Sequence, residues 1–394
     1  MTKEKFNLPE KSEPYADKYF LRAKKILESE DINPWVRAQV FIRKGPGIVK
    51  GIDEAAAILE KYSSLAKHGG RVYALKESSL YNPNETLILI EAQIQDIVAL
   101  ETMYLGVLSA ETTKENERRG INLNSVRRNM AAVVKAAEGR AVSYFGARHW
   151  RFDEDAQITK AAYEGGAQSA STDTGAETFG KKGVGTTPHV LENIMAWKYG
   201  YENAVSETMK AFDRVIEKEV PRIILVDYRN REITDSLATA RALERRLDGI
   251  RIDTCGENLG EGALRNKERL IELAGRDIDI PNEDEKYWFG NGVTVTGVYA
   301  VKKALEENGY ASLKVMLSSG FANSKKVKAF VRAEKLIGEK LFDGLGVGQV
   351  FESRAAKMDL VAVGYAPDKL VPISKTGRFY RPNQRLELVL GGRK

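Results

Sequence analysis

Histidine is scarce in this chain of 394 residues: there are only His68, His149 and His189. His189 closes the stretch Gly183-Val184-Gly185-Thr186-Thr187-Pro188-His189. Pro188 fixes the backbone just before it, and the glycines leave room for a bulky ligand. An isolated histidine is usually a satisfied core or surface residue; this setting shifts the reading toward function. Arg251 and Asp253 alternate along Ile250-Arg251-Ile252-Asp253, so on a strand both face one side. The arginine can clamp an anion. The aspartate can accept ribose hydroxyls or hold a metal-bound water, although a buried structural ion pair is the plainer alternative. Ser318-Ser319-Gly320 and Gly346-Val347-Gly348 are glycine-bearing turns. Either alone reads as a simple tight turn. Together, after the last two strands, they can aim backbone N–H groups at one phosphate, which a Cβ would block. Phe145-Gly146-Ala147-Arg148 offers an aromatic face and a guanidinium for a flat anionic ring, or else a core phenylalanine and a surface arginine.

Such residues must be positioned by strand ends. Apolar runs at Ala141–Tyr144, Ile223–Val226 (then Asp227), Ile250–Ile252, Leu313–Leu317 and Leu341–Leu345 alternate with amphipathic helices. One helix places Ile233, Leu237, Ala240, Leu243 and Leu247 on one face; another turns Val327, Phe330 and Val331 inward. Alternating strand and helix implies a parallel sheet, open or closed into a barrel, with polar residues at the strands' C-terminal ends. Residues 256–292, rich in charge and glycine, read as an insertion between units. Residues 35–110 differ in texture. The strand-like Val40-Phe41-Ile42 and Thr86–Ile90 flank a helical Ile52–Leu65, with turns at Gly69-Gly70 and Asn82-Pro83-Asn84, as in a smaller α+β domain.

Composition narrows the function classes. At ~150 residues per domain the length predicts two or three domains. No apolar run approaches the ~18–20 residues of a membrane span. Met1 to Lys11 is too polar for a secretory signal. Cys255 is the only cysteine, which excludes an internal disulfide and a multi-cysteine zinc site, and the expected compartment is the cytoplasm. The net charge of +6 is not gathered into runs interleaved with aromatics. Lys181–Lys182 and Lys325–Lys326 are isolated pairs, and most of this charge reads as solvated surface. A phosphate-rich small substrate fits the remainder better than nucleic acid or membrane.

Seven motifs in order give the chain a resemblance. They are Phe145-Gly146-x-Arg148, Tyr163-x-Gly165-Gly166-Ala167, Gly185-Thr186-x-Pro188-His189, Leu225-Val226-Asp227, Ile250–Thr254, Ser318-x-Gly320 and Gly346-Val347-Gly348. From about Asp17 onward the chain resembles the nicotinate phosphoribosyltransferases, a family of type II phosphoribosyltransferases. The resemblance implies an α/β fold: an irregular (β/α) barrel with an N-terminal α/β sandwich domain that the C-terminal segment rejoins. The expected division is 1–120 for the sandwich, 121–355 for the barrel and 356–394 for the returning segment. It also implies the joining of nicotinate to phosphoribosyl pyrophosphate, coupled to ATP and assisted by Mg²⁺, to give nicotinate mononucleotide and pyrophosphate in NAD biosynthesis. Homodimers or higher homo-oligomers with shared active sites follow from the same likeness.

By that resemblance His189 is the phosphorylatable histidine. Arg251 and Asp253 contact phosphoribosyl pyrophosphate, and Asp227 joins the substrate site. Ser318, Ser319, Gly320, Gly346 and Gly348 hold the 5′-phosphate. Phe145 and Arg148 line the nicotinate site, onto which Tyr19 of Asp17-x-Tyr19 stacks from a partner subunit, unless it is merely the core residue of an amphipathic helix. Lys375 and Arg378, in Ser374-Lys375-Thr376-Gly377-Arg378, are candidates to neutralise the leaving pyrophosphate. A gapless count from Gly165 puts Ser171 where nicotinamide enzymes carry an aspartate. Asp173, two residues on, would face the same side of a strand, so a register slip would favour the amide. Nicotinamide or quinolinate enzymes and a non-catalytic nucleotide-binding paralogue are the alternatives. Three departures stand out: Ser319 replaces a usual glycine, His149 replaces a second arginine, and the single cysteine precludes the zinc knuckle of some archaeal relatives.

Overall fold

Two six-stranded sheets organise residues 6–392, the part of the chain that the computed structural model describes. Met1–Lys5, where the non-signal reading of the N-terminus begins, and Arg393 and Lys394, the end of the expected C-terminal segment, lie outside the described residues. In chain order the strands are β1 (Trp35–Ile42), β2 (Gly47–Ile48), β3 (Arg71–Ala74), β4 (Leu80–Tyr81), β5 (Thr86–Gln93), β6 (Ala141–Tyr144) and β7 (Ser169–Ala170). There follow β8 (Ile223–Leu225), β9 (Gly249–Ile252), β10 (Lys314–Leu317), β11 (Gly344–Val347), β12 (Ala356–Gly364), β13 (Leu370–Pro372) and β14 (Glu387–Leu390).

The first sheet is antiparallel, in the order β13-β12-β1-β5-β3-β14. Strand β1 lies between β5 and β12, with Trp35 opposite Gly364 and Ile42 opposite Ala356. The C-terminal strands β12 and β14 thus pair directly with the N-terminal β1 and β3. The helix Glu101–Glu117 is buried on nearly all sides, from Glu101 to Ala110 without interruption. That explains its lack of an amphipathic pattern: it is enclosed rather than half-exposed.

The second sheet is parallel, in the order β7-β6-β11-β10-β9-β8, and forms a half-barrel. Its apolar runs (Val142, Ile250, Val315, Leu345) are buried, as strands covered on both faces require. Helices Asp155–Glu164, Glu232–Leu243, Val295–Glu307 and Ser324–Ile337 alternate with the strands. The last is set by Asn323, whose side chain accepts from the Lys325 N–H at 3.0 Å, and stopped by left-handed Gly338. Val327, Phe330 and Val331 are buried. The edge strands β7 and β8 do not pair with each other, and the glycine stretch spans the gap. Val184 N–H donates to Ala170 of β7 at 2.8 Å, and the Thr186 hydroxyl donates to Ile223 of β8 at 2.5 Å. The barrel's irregularity is therefore the very segment that leads into His189.

One strand lies off its expected place. The apolar run Leu341–Leu345 predicts a strand opening at Gly346, but β11 runs Gly344–Val347. Leu341 and Phe342 are buried while still approaching the sheet. Residues 256–292 form turns and short helices, anchored by buried Trp288 and by an Arg332–Asp284 ion pair. Among the described residues no helix is long and apolar enough to cross a membrane.

Candidate active site

At the C-terminal edge of the parallel sheet, Asp227 follows β8 and Asp253 follows β9. His189 is the first residue of the helix His189–Tyr199, with Pro188 extended before it. Lys375 arrives from the other end of the chain. Its loop is fixed by Thr376 N–H donating to Tyr228 O at 3.1 Å and by Ser374 Oγ donating to Arg378 O at 2.6 Å. His189 Nε2 lies 2.8 Å from Asp227 Oδ1 and 3.0 Å from Lys375 Nζ, and Lys375 Nζ also pairs with Asp227 Oδ2. One ligand atom each from His189, Asp227 and Asp253 lies within 4.8 Å of the others.

Electrostatics sharpen these roles. Burial would raise the Asp227 carboxyl, but Lys375 and His189 outweigh it and hold it well below the usual carboxylate range. Burial and Lys375 lower His189, against the pull of Asp227, so the imidazole is neutral. Burial acts against the Lys375 ammonium, yet Asp227 and Asp253 keep it charged and raise it. Arg251 ties the neighbouring elements together. Its Nη1 donates to Ser318 Oγ at 3.1 Å and lies 3.7 Å from Asp253 Oδ2, while Nη2 donates to Thr187 O at 3.4 Å.

The two glycine turns adjoin. A Cβ on Gly346 would come within 2.7 Å of the Phe145 ring and 3.4 Å of Ser318 Cβ; one on Gly348 would lie 3.0 Å from Phe145 O and 3.1 Å from His149 Nε2. Neither glycine has positive φ, so what they supply is space. Gly346 sits inside β11, and only Gly348 lies in the turn, which corrects the expected pairing of turn residues. In the other turn Ser319 has φ 66° and Gly320 φ 81°, so a serine occupies a left-handed position that favours glycine.

A second cluster surrounds Arg148. Its Nη1 donates to Glu101 Oε1 at 2.8 Å, and its Nε lies 3.4 Å from Asp17 Oδ2. Tyr19 OH donates to that Asp17 oxygen at 2.8 Å, and the Arg148 guanidinium lies 5.9 Å from the Tyr19 ring centroid. Gly185, at φ 138°, meets the same ring: a Cβ there would be 2.8 Å from Tyr19 Cδ1. Ser171 is buried, with its hydroxyl unpartnered among the described residues and its carbonyl accepting from the Lys18 N–H at 2.7 Å.

Residues 17–111 match the family model described as quinolinate phosphoribosyl transferase, N-terminal domain. A solved nicotinate phosphoribosyltransferase from Porphyromonas gingivalis is similar at a TM-score of 0.60 and 13% identity, over 93% of this chain and 94% of that one. For a nicotinate phosphoribosyltransferase from Vibrio cholerae the values are 0.58 and 10%, over 92% and 88%. A nicotinate-nucleotide pyrophosphorylase from Pyrococcus furiosus is 26% identical over 99% of this chain and 87% of that one, at a TM-score of 0.43. The chain has the type II phosphoribosyltransferase fold.

Within this phosphoribosyltransferase fold, three expectations change. Tyr19, expected from a partner subunit, is buried beside Arg148 of its own chain. Asp173 is not on a strand with Ser171: β7 ends at Ala170, Thr172 caps a short helix, and Asp173 opens it. Its carboxylate is engaged, by Lys18 Nζ at 2.5 Å and Gly183 N–H at 2.9 Å. Lys326, read as solvated, is half-buried, donates to Ser319 O at 3.1 Å and is lowered to about 8, chiefly by burial, despite Asp253. Its signal was its place, in the first turn of the helix after a serine–glycine turn. Lys357 of β12 went unread; it opens to solvent, and encirclement by protein, with Arg43 and Arg148, lowers it to about 8. Alternation of Lys357 and Asp359 in an apolar strand was the available signal. Arg378 stands apart from His189, 3.5 Å from Asp359.

Proposed function

We propose that this protein is a nicotinate phosphoribosyltransferase. The observation that carries the reading is the His189–Asp227–Lys375 triad beside Asp253, at the strand ends where barrel enzymes do chemistry. The ring nitrogen of nicotinate attacks the anomeric carbon of phosphoribosyl pyrophosphate, the C–O bond to pyrophosphate breaks, and pyrophosphate leaves with the electron pair. The ring nitrogen is a free nucleophile, so no general base is needed, and catalysis is positioning and charge stabilisation. Phe145 and Tyr19 would flank the ring and Arg148 would face its carboxylate. Arg251 and the Ser318–Gly320 and Gly348 turns would take the 5′-phosphate, with Asp253 on the ribose. Lys326, Lys357 and Lys375 gather positive charge around the leaving pyrophosphate.

Mg²⁺ suits Asp253 and substrate oxygens, since hard cations prefer carboxylate and phosphate ligands and both Asp227 oxygens already have partners. When bound it would neutralise developing pyrophosphate charge. ATP would phosphorylate His189. With Nε2 engaged by Asp227, Nδ1 of the neutral ring is the nitrogen left to accept the phosphoryl group. A homodimer or higher oligomer in the cytoplasm completes the proposal.

Quinolinate is the second reading, favoured by the family model over residues 17–111. A dicarboxylate would bring two charges to an arginine already shared by Glu101 and Asp17, which favours the monocarboxylate. The deciding experiment offers purified protein phosphoribosyl pyrophosphate with nicotinate, nicotinamide and quinolinate in parallel. Mononucleotide is expected from nicotinate and scarcely from the other two; preferential formation of the amide mononucleotide, or product from quinolinate alone, overturns the proposal.

A further inference from the structure

Arg148 is not a free cation waiting for an anion. Two buried carboxyl groups, Glu101 and Asp17, already share its guanidinium. Asp17 is further tied by Tyr19 OH and by Thr102, whose hydroxyl donates to Asp17 Oδ2 at 3.1 Å and accepts from Asp17 N–H at 2.9 Å. The Glu101 carboxyl makes no hydrogen bond but that to Arg148 among the described residues. Asp17 thus has two hydroxyl donors besides Arg148, whereas the Glu101 carboxyl has Arg148 alone, so Glu101 is the acid the surroundings leave able to change state. Arg148 Nη2 carries no hydrogen bond among the described residues, and the side chain is 38% exposed, so one edge of the guanidinium remains open. An anionic ring docking there would put three carboxylates on one guanidinium, an arrangement like-charge repulsion disfavours.

We propose that Glu101 determines specificity in the pyridine subsite: it takes up a proton when a carboxylated ring docks on Arg148, and an uncharged ring draws none. The inference rests on the nicotinate reading above and assigns a role to a residue outside it. With Glu101 protonated, docking leaves two carboxylates on Arg148, that of Asp17 and that of the substrate, rather than three.

The groups facing Glu101 bear this out. Asp17 and Tyr19 approach from the N-terminal side, Tyr104 from its own helix, Arg148 from the turn after β6 and Asp359 from β12. His149 and Lys357 lie beyond Arg148. Burial raises Glu101 to about 7, with Asp17 and Asp359 adding to the rise and Arg148 opposing it. Burial, with Lys357 and Arg148, lowers His149 to about 3, so it stays neutral and does not compete for the proton. The sign follows. Below pH 7 Glu101 is already protonated and nicotinate affinity is flat. Above pH 7 docking requires uptake of one proton, so affinity falls by up to about tenfold per pH unit.

The test uses the full-length enzyme at saturating phosphoribosyl pyrophosphate, with the KM for nicotinate measured from pH 6.5 to 8.5. Expected is a KM that is flat below 7 and climbs toward tenfold per unit above it, while inhibition by nicotinamide stays constant. Glu101→Gln, which is neutral at every pH, should give a flat nicotinate KM. Calorimetry on the unmodified protein at pH 8, in two buffers of different ionisation enthalpy, gives an answer even if that variant fails to fold: uptake close to one proton per nicotinate is expected. Conversion of nicotinate with a flat KM and no proton uptake overturns this proposal and leaves the nicotinate reading standing. Absence of product from any pyridine overturns that reading and this one with it.

Discussion

Lys375 and His189 share one carboxylate, and burial, with Lys375 beside it, holds the histidine below its ordinary value. Asp227 is completely buried, held by Lys375 on one oxygen and His189 on the other. With Lys375 in place the imidazole is lowered from its ordinary value, which under the proposed reaction would leave it free to accept a phosphoryl group. Lys375→Met removes a cation that lowers His189, so the histidine pKa rises and imidazolium persists to higher pH. ATP stimulation should then disappear as pH falls at a higher pH than in the unmodified protein; a pH profile of the ATP-dependent rate checks the shift. The same change leaves the buried Asp227 paired with His189 alone and should cost about 1–3 kcal/mol in denaturant unfolding. His189→Ala separates the two effects. It should abolish ATP stimulation and leave slow ATP-independent synthesis, and survival of the stimulation would remove His189 from the mechanism.

Elements were legible where the local pattern and the tertiary demand agree. β6, β8, β9 and β10 were readable because covered parallel strands are short apolar runs, and the helix before Gly338 because its buried residues recur with helical period. β11 was misplaced because Leu341 and Phe342 are buried without being strand, while Gly344 and Gly346 look like turn residues but pair in the sheet. Glu101, Lys326 and Lys357 were missed for a different reason. A charged residue on a helix or strand has the same letter whether it faces solvent or a cleft, and only the packing of distant elements tells them apart. The glycine turns remain the most testable elements. Gly348→Val would thrust methyl groups at Phe145 O and His149, and should raise the KM for phosphoribosyl pyrophosphate tenfold or more while moving that for nicotinate less. Ser319→Gly relieves a left-handed serine and should raise unfolding stability by about 0.5–1 kcal/mol, since the steric relief exceeds the added chain entropy. Equal KM changes in the first case, or destabilisation in the second, would count against these assignments.

At the scale of the whole molecule, the candidate site is assembled from both ends of the chain. Tyr19 and Glu101 come from the N-terminal part, Arg148 to Gly348 from the half-barrel, and Lys357 and Lys375 from the segment that returns to pair with β1. The antiparallel sheet is therefore more than a neighbour of the half-barrel: through β12 and the loop after β13 it delivers two of the cations. Truncation after Ile373 deletes Lys375, Arg378 and edge strand β14, but leaves β12 and Lys357 in place. β14 is largely exposed at the end of its sheet, and its loss leaves the β1–β5–β12 core paired. The truncated chain should therefore fold, at reduced stability, and fail chiefly in chemistry. Two consequences of losing Lys375 are shared with Lys375→Met: a buried, half-paired Asp227 and a His189 that charges at higher pH. Loss of Arg378 adds a third, because Asp359 loses the cation 3.5 Å away. Synthesis by the truncated chain should fall about 100-fold or more, to no more than the level of Lys375→Met. Its far-ultraviolet circular dichroism should remain near that of the full chain. A truncated protein that retains more activity than Lys375→Met would show that the returning loop blocks the site rather than completing it.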